Sequence, residues 1–559
     1  MLLAAGWIAP GAAAQAGDRD DSADSVRIHE AARKAQAKFE RTRQHRLPWS
    51  RDGGGGGCDE YVGRYCVRHD RGDDEWTPPR EHREISEARD VLLAELRQAA
   101  ERLPGDEWVI GQRVAYLLDA GRSDEALDAA RACGAPLWWC EALRGLVHHE
   151  RGETGAAERR FSAALASMPP DEHRRWVDAK PVLRSADARI LDRAEAATRD
   201  SLVAVLWWLA DPLWMRPGND RLTEQHARHV RARIAARSRT PEGVRWAADM
   251  EELLLRFGWP AGWERRSSGG LERRVSIVTH HPGFGRGFVP PLSHAAEPWH
   301  IPADGWELAP RIPLEEYAAP HARFDGAMEH QFVVLPDGDS VTLAAAFAFR
   351  HDSVVPAATM LAALVAATPE ESVMDSAAAP AHRIVRAVRV PKRNMVVSLE
   401  SVVDGEPPRA ARARFGVLLA QRDTAALELS DPLLVDAAAA PASQGAAIAR
   451  LLLPSEAERA DSIGVYFEAH RLAPDVPVEI ELTLEPERGG TLRRIGESVG
   501  LVSPRSAVRL AWEEPPPSDG RLTRGVVLGF REVPDGRYVL YLLVRQGSAW
   551  AASRARIER

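Results

Sequence analysis

The feature that most constrains this chain is a change of apolar period along its length. From residue 85 to about 265 the period is helical: Ala88, Val91, Leu92, Leu96 and Ala99 fall on one stripe. Toward the C-terminus the period becomes two. Residues 478–485 read VEIELTLE, the strict alternation of a half-buried antiparallel strand. Residues 464–469 and 538–544 read as further strands, the second entered through a Pro534, Asp535, Gly536 turn. One chain must therefore build a helical part and then an all-β part. Its 559 residues allow three or four domains at about 150 residues each. With 45% hydrophobic residues, a wholly disordered chain is excluded. A net charge of −8 argues against a nucleic-acid partner, which favours a strongly basic domain. The longest apolar run, 202–210, stops at Asp211 and Pro212, well short of the ~20 residues a transmembrane helix needs.

The first residues, MLLAAGWIAPGAAAQA, have an apolar stretch followed by small residues ending in Ala14, Gln15, Ala16. This is the pattern a signal peptidase cuts after, although the usual positive start is missing. Residues 1–16 are therefore expected to be a signal peptide. The protein is expected to be exported: periplasmic, outer-membrane associated or extracellular. The four cysteines fit that compartment as two close pairs, Cys58 with Cys66 and Cys133 with Cys140. Four cysteines allow three connectivities; local pairing is expected because each pair flanks a short turn. A zinc site is the rival reading, disfavoured because neither spacing is C-x-x-C.

Residues 17–85 are polar, with a glycine run at 53–57, and are expected to be a flexible segment closed by one cysteine loop. Residues 86–265 are expected to be helical, 266–320 a Gly/Pro-rich connector, and 321–440 and 441–559 two β-sandwich modules. The two modules rest on an internal repeat. Val390-Pro391 and Met395 onward match Val533-Pro534 and Tyr538 onward, and Ala410 to Phe415 matches Ala552 to Ile557. Residues 427–435 would link them. One larger β domain is the alternative. The aspartate three residues before Tyr538 resembles the tyrosine-corner entry of immunoglobulin-like sandwiches.

Within the helical part, Gly121 and Ala126 return as Gly152 and Ala157, an offset of 31 residues. Phe161, Ala164 and Pro169 follow, and Gly145 precedes. This spacing resembles the tetratricopeptide repeat. Small Gly and Ala let two helices approach, Phe161 fills the gap, and Pro169 ends the second helix. Two repeats are too few to stand alone, so flanking helices must complete the stack.

A second resemblance lies in 207–260. Trp207-Trp208-Leu209-Ala210-Asp211-Pro212 is followed by Asn219, Glu224 and Arg228, then Gly243, Trp246 and Asp249, then Gly258 and Pro260. The stretch resembles the GWxTD domain of exported bacterial proteins. Arg245 replaces the glycine before Trp246, and Ala248 replaces the threonine. The resemblance implies no catalytic residue. Trp246, Phe257, Trp259 and Trp263 read as packing residues, and Asp249 as a helix cap or a partner of Arg245 or Arg256.

Candidate chemistry is sparse. Gly283, Gly285 and Gly287 beside His280 and His281 lack the spacing of a dinucleotide loop, and Pro290 and Pro291 deny them a helix N-terminus. His148, His149, Glu150 and Glu153 do not form H-E-x-x-H, and His226 and His229 read as solvated histidines. No G-x-S-x-G elbow and no phosphate-binding lysine loop occur. No catalytic, cofactor-binding or metal-ligating residue is assigned. Trp138, Trp139, Trp207 and Trp208 read as core, with an exposed aromatic groove as the minority reading. The expectation is a non-catalytic envelope scaffold. Its helical repeats would bind a partner protein, and its β-sandwich modules would act as spacer or second contact surface. The alternatives are an envelope hydrolase with a site near His280 and Asp249, and a glycan-binding module.

Overall fold

The computed structural model describes residues 12–50, 59–67, 76–267, 275–306, 308, 314–351, 358–380, 383–419, 427–438, 441, 443–487, 507–531 and 533–559. They divide into two compact units. The first lies within Met1–Pro212, Arg216–Ala295 and Leu308–His321; the second within Leu213–Met215, Ala296–Glu307 and Ala322–Arg559. The first is mainly helical and the second is built of antiparallel sheets.

The helical unit opens with α1 (Ala12–Arg46), which packs on α2 (Arg83–Arg102). Within the segment 17–85 expected to be flexible, residues 17–46 are therefore helical. Ala32, Phe39 and Leu47 are buried, but so are Gln36, Glu40 and Arg43, so the buried stripe is partly polar and gives no apolar period. The Tyr116 hydroxyl donates to Glu40 (2.6 Å) and receives the Gln36 amide (2.8 Å), so these groups are partnered inside the fold. The segment also holds a small hairpin, β1 (Glu60–Val62) with β2 (Tyr65–Val67). Of the expected signal peptide, residues 1–11 lie outside the described residues and 12–16 belong to α1.

α3 (Glu107–Asp119), α4 (Ser123–Arg131), α5 (Leu137–Glu150) and α6 (Thr154–Ser167) pack in succession as two helical hairpins. Gly121 and Gly152 both sit at φ 70° after the first helix of a pair, and Ala126 and Ala157 are both fully buried. A Cβ on Gly145 would lie 2.7 Å from the Phe161 ring, so α5 and α6 approach as closely as the sequence spacing required. Pro169 follows α6 and leads into α7 (Pro170–Trp176). Cys133 and Cys140 form a disulfide with Cα atoms 5.6 Å apart. Cys66 is also disulfide-bonded, and Cys58 lies outside the described residues.

α8 (Ser185–Arg193) and α9 (Ala196–Ala210) lead to α10 (Asp220–Ala236), which packs against α3, α5, α6, α9 and α11 (Ala248–Phe257). Beyond it, the described residues of the expected connector are structured. β3 (Gly262–Ser267) and β4 (Val275–His280) pair, and α12 (Leu292–Ala296) follows. Phe288, Leu292, Glu315 and Tyr317 are buried. A Gly/Pro-rich composition concealed this because the segment is held by polar contacts to α10, described below, more than by an apolar period.

In the β unit, β5 (Ala327–Asp337), β6 (Ser340–Arg350) and β9 (Ile384–Pro391) form one sheet. β7 (Thr359–Ala367), β8 (Ser372–Pro380), β10 (Met395–Val403) and β11 (Arg409–Val417) form a second, in the order β11-β10-β7-β8. Phe332 on β5 meets Phe415 on β11 edge to face at 4.7 Å, closing the two sheets over one another. β12 (Glu428–Leu429) and β13 (Leu433–Asp436) both pair with β14 (Ser462–His470), and so does β17 (Arg521–Gly529). β15 (Val478–Pro486), β16 (Val508–Glu514), β18 (Arg537–Gln546) and β19 (Ala549–Glu558) form the facing sheet, ordered β16-β15-β18-β19. The short α13 (Gln444–Ala449) and α14 (Pro454–Arg459) lie between β13 and β14.

The expected module boundary at 440 is corrected. Residues 428–429 and 433–436 are strands of the second pair of sheets, and Leu427, Leu429 and Leu434 enter its core beside Phe467 and Leu482. The two sandwiches are also not separate beads. β14 is buried on both faces: Ile463, Val465 and Phe467 point into the second core, while Tyr466 joins Val333, Ala344 and Leu433 in a cluster shared with the first. The internal repeat corresponds to two equivalent hairpins, β10–β11 and β18–β19. The Tyr538 hydroxyl donates to the Pro534 carbonyl at 2.7 Å.

Candidate functional site

A dense collection of buried ionisable groups lies on α10. Its sequence, DRLTEQHARHVRARIAA, gives no apolar stripe, yet Arg221, Thr223, Gln225, His226, Arg228, His229 and Arg231 are all buried. Asn219 starts the helix, accepting from the Leu222 amide (2.9 Å) and donating to the Trp207 carbonyl (2.6 Å). The Trp207 and Asn219 of the GWxTD-like stretch thus meet directly.

Glu224 and Arg228, one turn apart, form the centre. Arg228 Nε donates to Glu224 at 2.6 Å, and its other nitrogens donate to the Leu255, Arg256 and Glu316 carbonyls at 3.0, 2.9 and 2.6 Å. The guanidinium therefore caps the C-terminal end of α11, where helix carbonyls lack partners. Gly258 ends that helix at φ 80°, and a Cβ there would lie 3.0 Å from both Arg228 and Glu224. Both its backbone conformation and the space it leaves require glycine.

His149, from α5, completes a hydroxyl–imidazole–carboxylate row. Nδ1 meets Thr223 Oγ1 at 3.1 Å and Nε2 meets Glu224 at 2.7 Å. The donor directions decide its chemistry. Thr223 donates its own proton to the Asp220 carbonyl (3.0 Å), so it accepts from His149. Burial opposes charge on His149, but the Glu224 hydrogen bond and the Glu224, Glu150 and Asp220 charges outweigh it and raise its pKa. Glu224 is also desolvated, yet Arg228 and His149 hold its pKa well below the usual carboxylate range. With Thr223 turned to the Asp220 carbonyl, both ring nitrogens of His149 face acceptors, an arrangement that the Glu224 charge favours.

The N-terminal end of α10 gathers the former connector. Arg221 donates to Glu315 at 3.0 Å, and Glu315 accepts the Phe288 and Val289 amides at 2.6 and 3.0 Å. Asp220 meets the Tyr317 hydroxyl (3.4 Å) and His321 (3.2 Å). His226 and His229, read as solvated, instead stack on Trp176 at 6.0 and 5.4 Å. Nδ1 of the first and Nε2 of the second are buried without a hydrogen-bond partner among the described residues. Burial lowers their pKa values to about 4 and about 3.

The other sequence candidates go elsewhere. Asp249 pairs with neither Arg245 nor Arg256. It receives Arg64 from the β1–β2 turn, Nε at 2.6 Å and Nη2 at 2.9 Å, while Arg256 pairs with Glu60 at 2.7 Å. Gly243 takes φ 69°, and Trp246 and Pro260 are half-buried. His280 stacks flat on Trp76 at 4.1 Å and meets Glu264 at 3.1 Å; the His281 ring is half-buried beside Phe257 at 6.1 Å. His148 pairs with Glu153 at 2.6 Å. Among the described residues, no group of three or more His, Cys, Asp or Glu could hold a metal ion, and no helix is long and apolar enough to cross a membrane.

The β unit has its own polar cluster on the β14 face toward the first sandwich. Glu428 binds Lys392 (2.5 Å), and Glu468 accepts from Tyr466 (2.5 Å) and Arg521 (2.9 Å) and meets His470 (3.1 Å). Here too each carboxylate is matched by a cation. Sequence reading missed both clusters, since their members are far apart in the chain; only Glu224 and Arg228 stood in a recognisable stretch.

No family model matches the chain. No curated protein matches it either. Among solved structures it is similar to the crystal structure of red sea bream transglutaminase, at 12% identity and a TM-score of 0.13. That match covers 56% of this chain and 43% of the other. A likeness at that score supports no inference about fold or activity.

Proposed function

We propose that the chain is an exported, non-catalytic interaction protein of the bacterial envelope, a divergent relative of GWxTD-domain proteins. Its helical hairpins are of tetratricopeptide type and its sheets immunoglobulin-like. One observation supports the non-catalytic part: in the buried His149 row Thr223 turns to the Asp220 carbonyl and Glu224 is held by Arg228, so both groups serve the packing of the helices. Export is supported by the Cys133–Cys140 disulfide, which oxidising compartments favour. α10 already covers faces of α3 and α5, so the partner surface of the helical unit is assigned to the outer side of α2 and α4. There Val91 is exposed, and Asp90 pairs with Arg122.

The test is capture from envelope fractions on the immobilised full chain, with Val91→Arg as the control surface variant. A protein enriched by the wild type and lost with Val91→Arg supports the reading. A monomer that enriches nothing counts against it.

A further inference from the structure

We propose that the outer face of the β16-β15-β18-β19 sheet binds a linear, neutral polysaccharide. The face is defined by parity. Ile480, Leu482 and Leu484 on β15 and Leu540, Leu542 and Val544 on β18 are buried in the core, so their neighbours point outward. Pairing register then sets the outward residues in rows. Glu513, Glu479, Arg545 and Trp550 make the first; Ala511, Glu481, Leu543 and Ala552 the second; Arg509, Thr483, Tyr541 and Arg554 the third. Glu485, Val539 and Arg556 continue the surface.

Two features of this face call for a ligand. Trp550 is 65% exposed and Tyr541 38%, so an indole and a phenol lie open on one side of one sheet. Aromatic rings are costly to leave in water, and their flat faces stack well on the C–H face of a sugar ring. Between them the floor is low, with Ala552 and Leu543. The two aromatics stand two rows apart on adjacent strands, about 14 Å between backbones from strand spacing. That span suits several linked sugar rings better than a single one.

Charge selects the occupant. The acidic groups Glu479, Glu481, Glu485 and Glu513 are balanced by Arg509, Arg545, Arg554 and Arg556. A polyanion would meet the glutamate column as readily as the arginines. A protein partner would have to desolvate this charge at the centre of its interface, where charged residues are depleted. A hydroxyl both donates and accepts, so it suits a face that offers arginine donors beside a column of carboxylate acceptors.

The test is affinity electrophoresis of the full chain through gels holding cellulose derivative, soluble chitin, xylan or β-1,3-glucan, with heparin as the polyanion. Trp550→Ala, Tyr541→Ala and, on another sheet, Val527→Ala are compared, with thermal melts to show that each folds. Retention by at least one neutral glycan is expected, weakened about tenfold or more by either aromatic variant and unchanged by Val527→Ala. No retention in any neutral gel overturns the proposal. So does retention by heparin alone, or retention that Trp550→Ala and Tyr541→Ala leave intact.

Discussion

His149 and Glu224 face each other across α5 and α10, Nε2 to carboxylate at 2.7 Å; the carboxylate raises the imidazole's pKa, and Arg228 with His149 lowers that of the carboxylate. Arg228 on the same carboxylate extends the pair to the end of α11, so one anion joins three helices. Such a group holds elements in place because removing a member leaves the others charged and unmatched.

Glu224→Gln therefore destabilises the helical unit by about 3–5 kcal/mol, read from urea unfolding. With the carboxylate gone, burial dominates His149 and its pKa falls, which NMR titration checks. The exposed pair Arg122–Glu125 is the comparison, and Glu125→Gln should change stability by less than about 1 kcal/mol.

Gly145→Ala places a methyl group 2.7 Å from the Phe161 ring. The expected cost is about 1–3 kcal/mol from overpacking. Adding Phe161→Leu should recover part of it, so the double-mutant cycle yields a coupling energy. Purely additive losses would show that the two helices do not meet through this contact.

Glu40 is buried, and burial raises its pKa to about 7, against Arg43 and Tyr116 acting in the other direction. The Arg43 charge is answered by Asp119 at 2.5 Å, so Glu40 can hold its proton. Between the ordinary value of 4.5 and about 7 the folded chain binds more protons than the unfolded one. Stability from this residue is therefore full below pH 4.5 and is lost as pH rises toward 7, by up to about 3 kcal/mol. Glu40→Gln should flatten that slope in melts taken across the range.

His226 and His229 work in the opposite sense. Their pKa values are lowered by burial, from 6.5 to about 4 and about 3, so the unfolded chain binds the extra protons. Their contribution is full above pH 6.5 and is lost as pH falls through those values. His226→Leu with His229→Leu should make the protein less acid-sensitive, read by far-ultraviolet circular dichroism during acid unfolding.

Much of the architecture was legible where apolar residues keep a period. The strand at 478–486, the hairpins around Gly121 and Gly152, and the Cys133–Cys140 closure all stand where local pattern put them. α1 and α10 were not legible as buried helices, because Gln36, Glu40 and Arg43 on one and Arg221, Thr223 and Arg228 on the other fill buried positions with polar atoms. Burying a polar residue is costly unless a partner meets it, and here the partners lie far away: Tyr116 for Glu40, Glu315 for Arg221.

The sequence by itself determined the order of the two halves, helices first and strands after, because side-chain period is a local property of the backbone. It also determined the tight approach at Gly145, since only a missing side chain admits Phe161. Only the tertiary structure decided which carboxylate meets which cation, and that β14 would be buried on both faces. Those outcomes depend on distant segments arriving together, and a charge in a sequence does not say whether it will find its counter-charge or water.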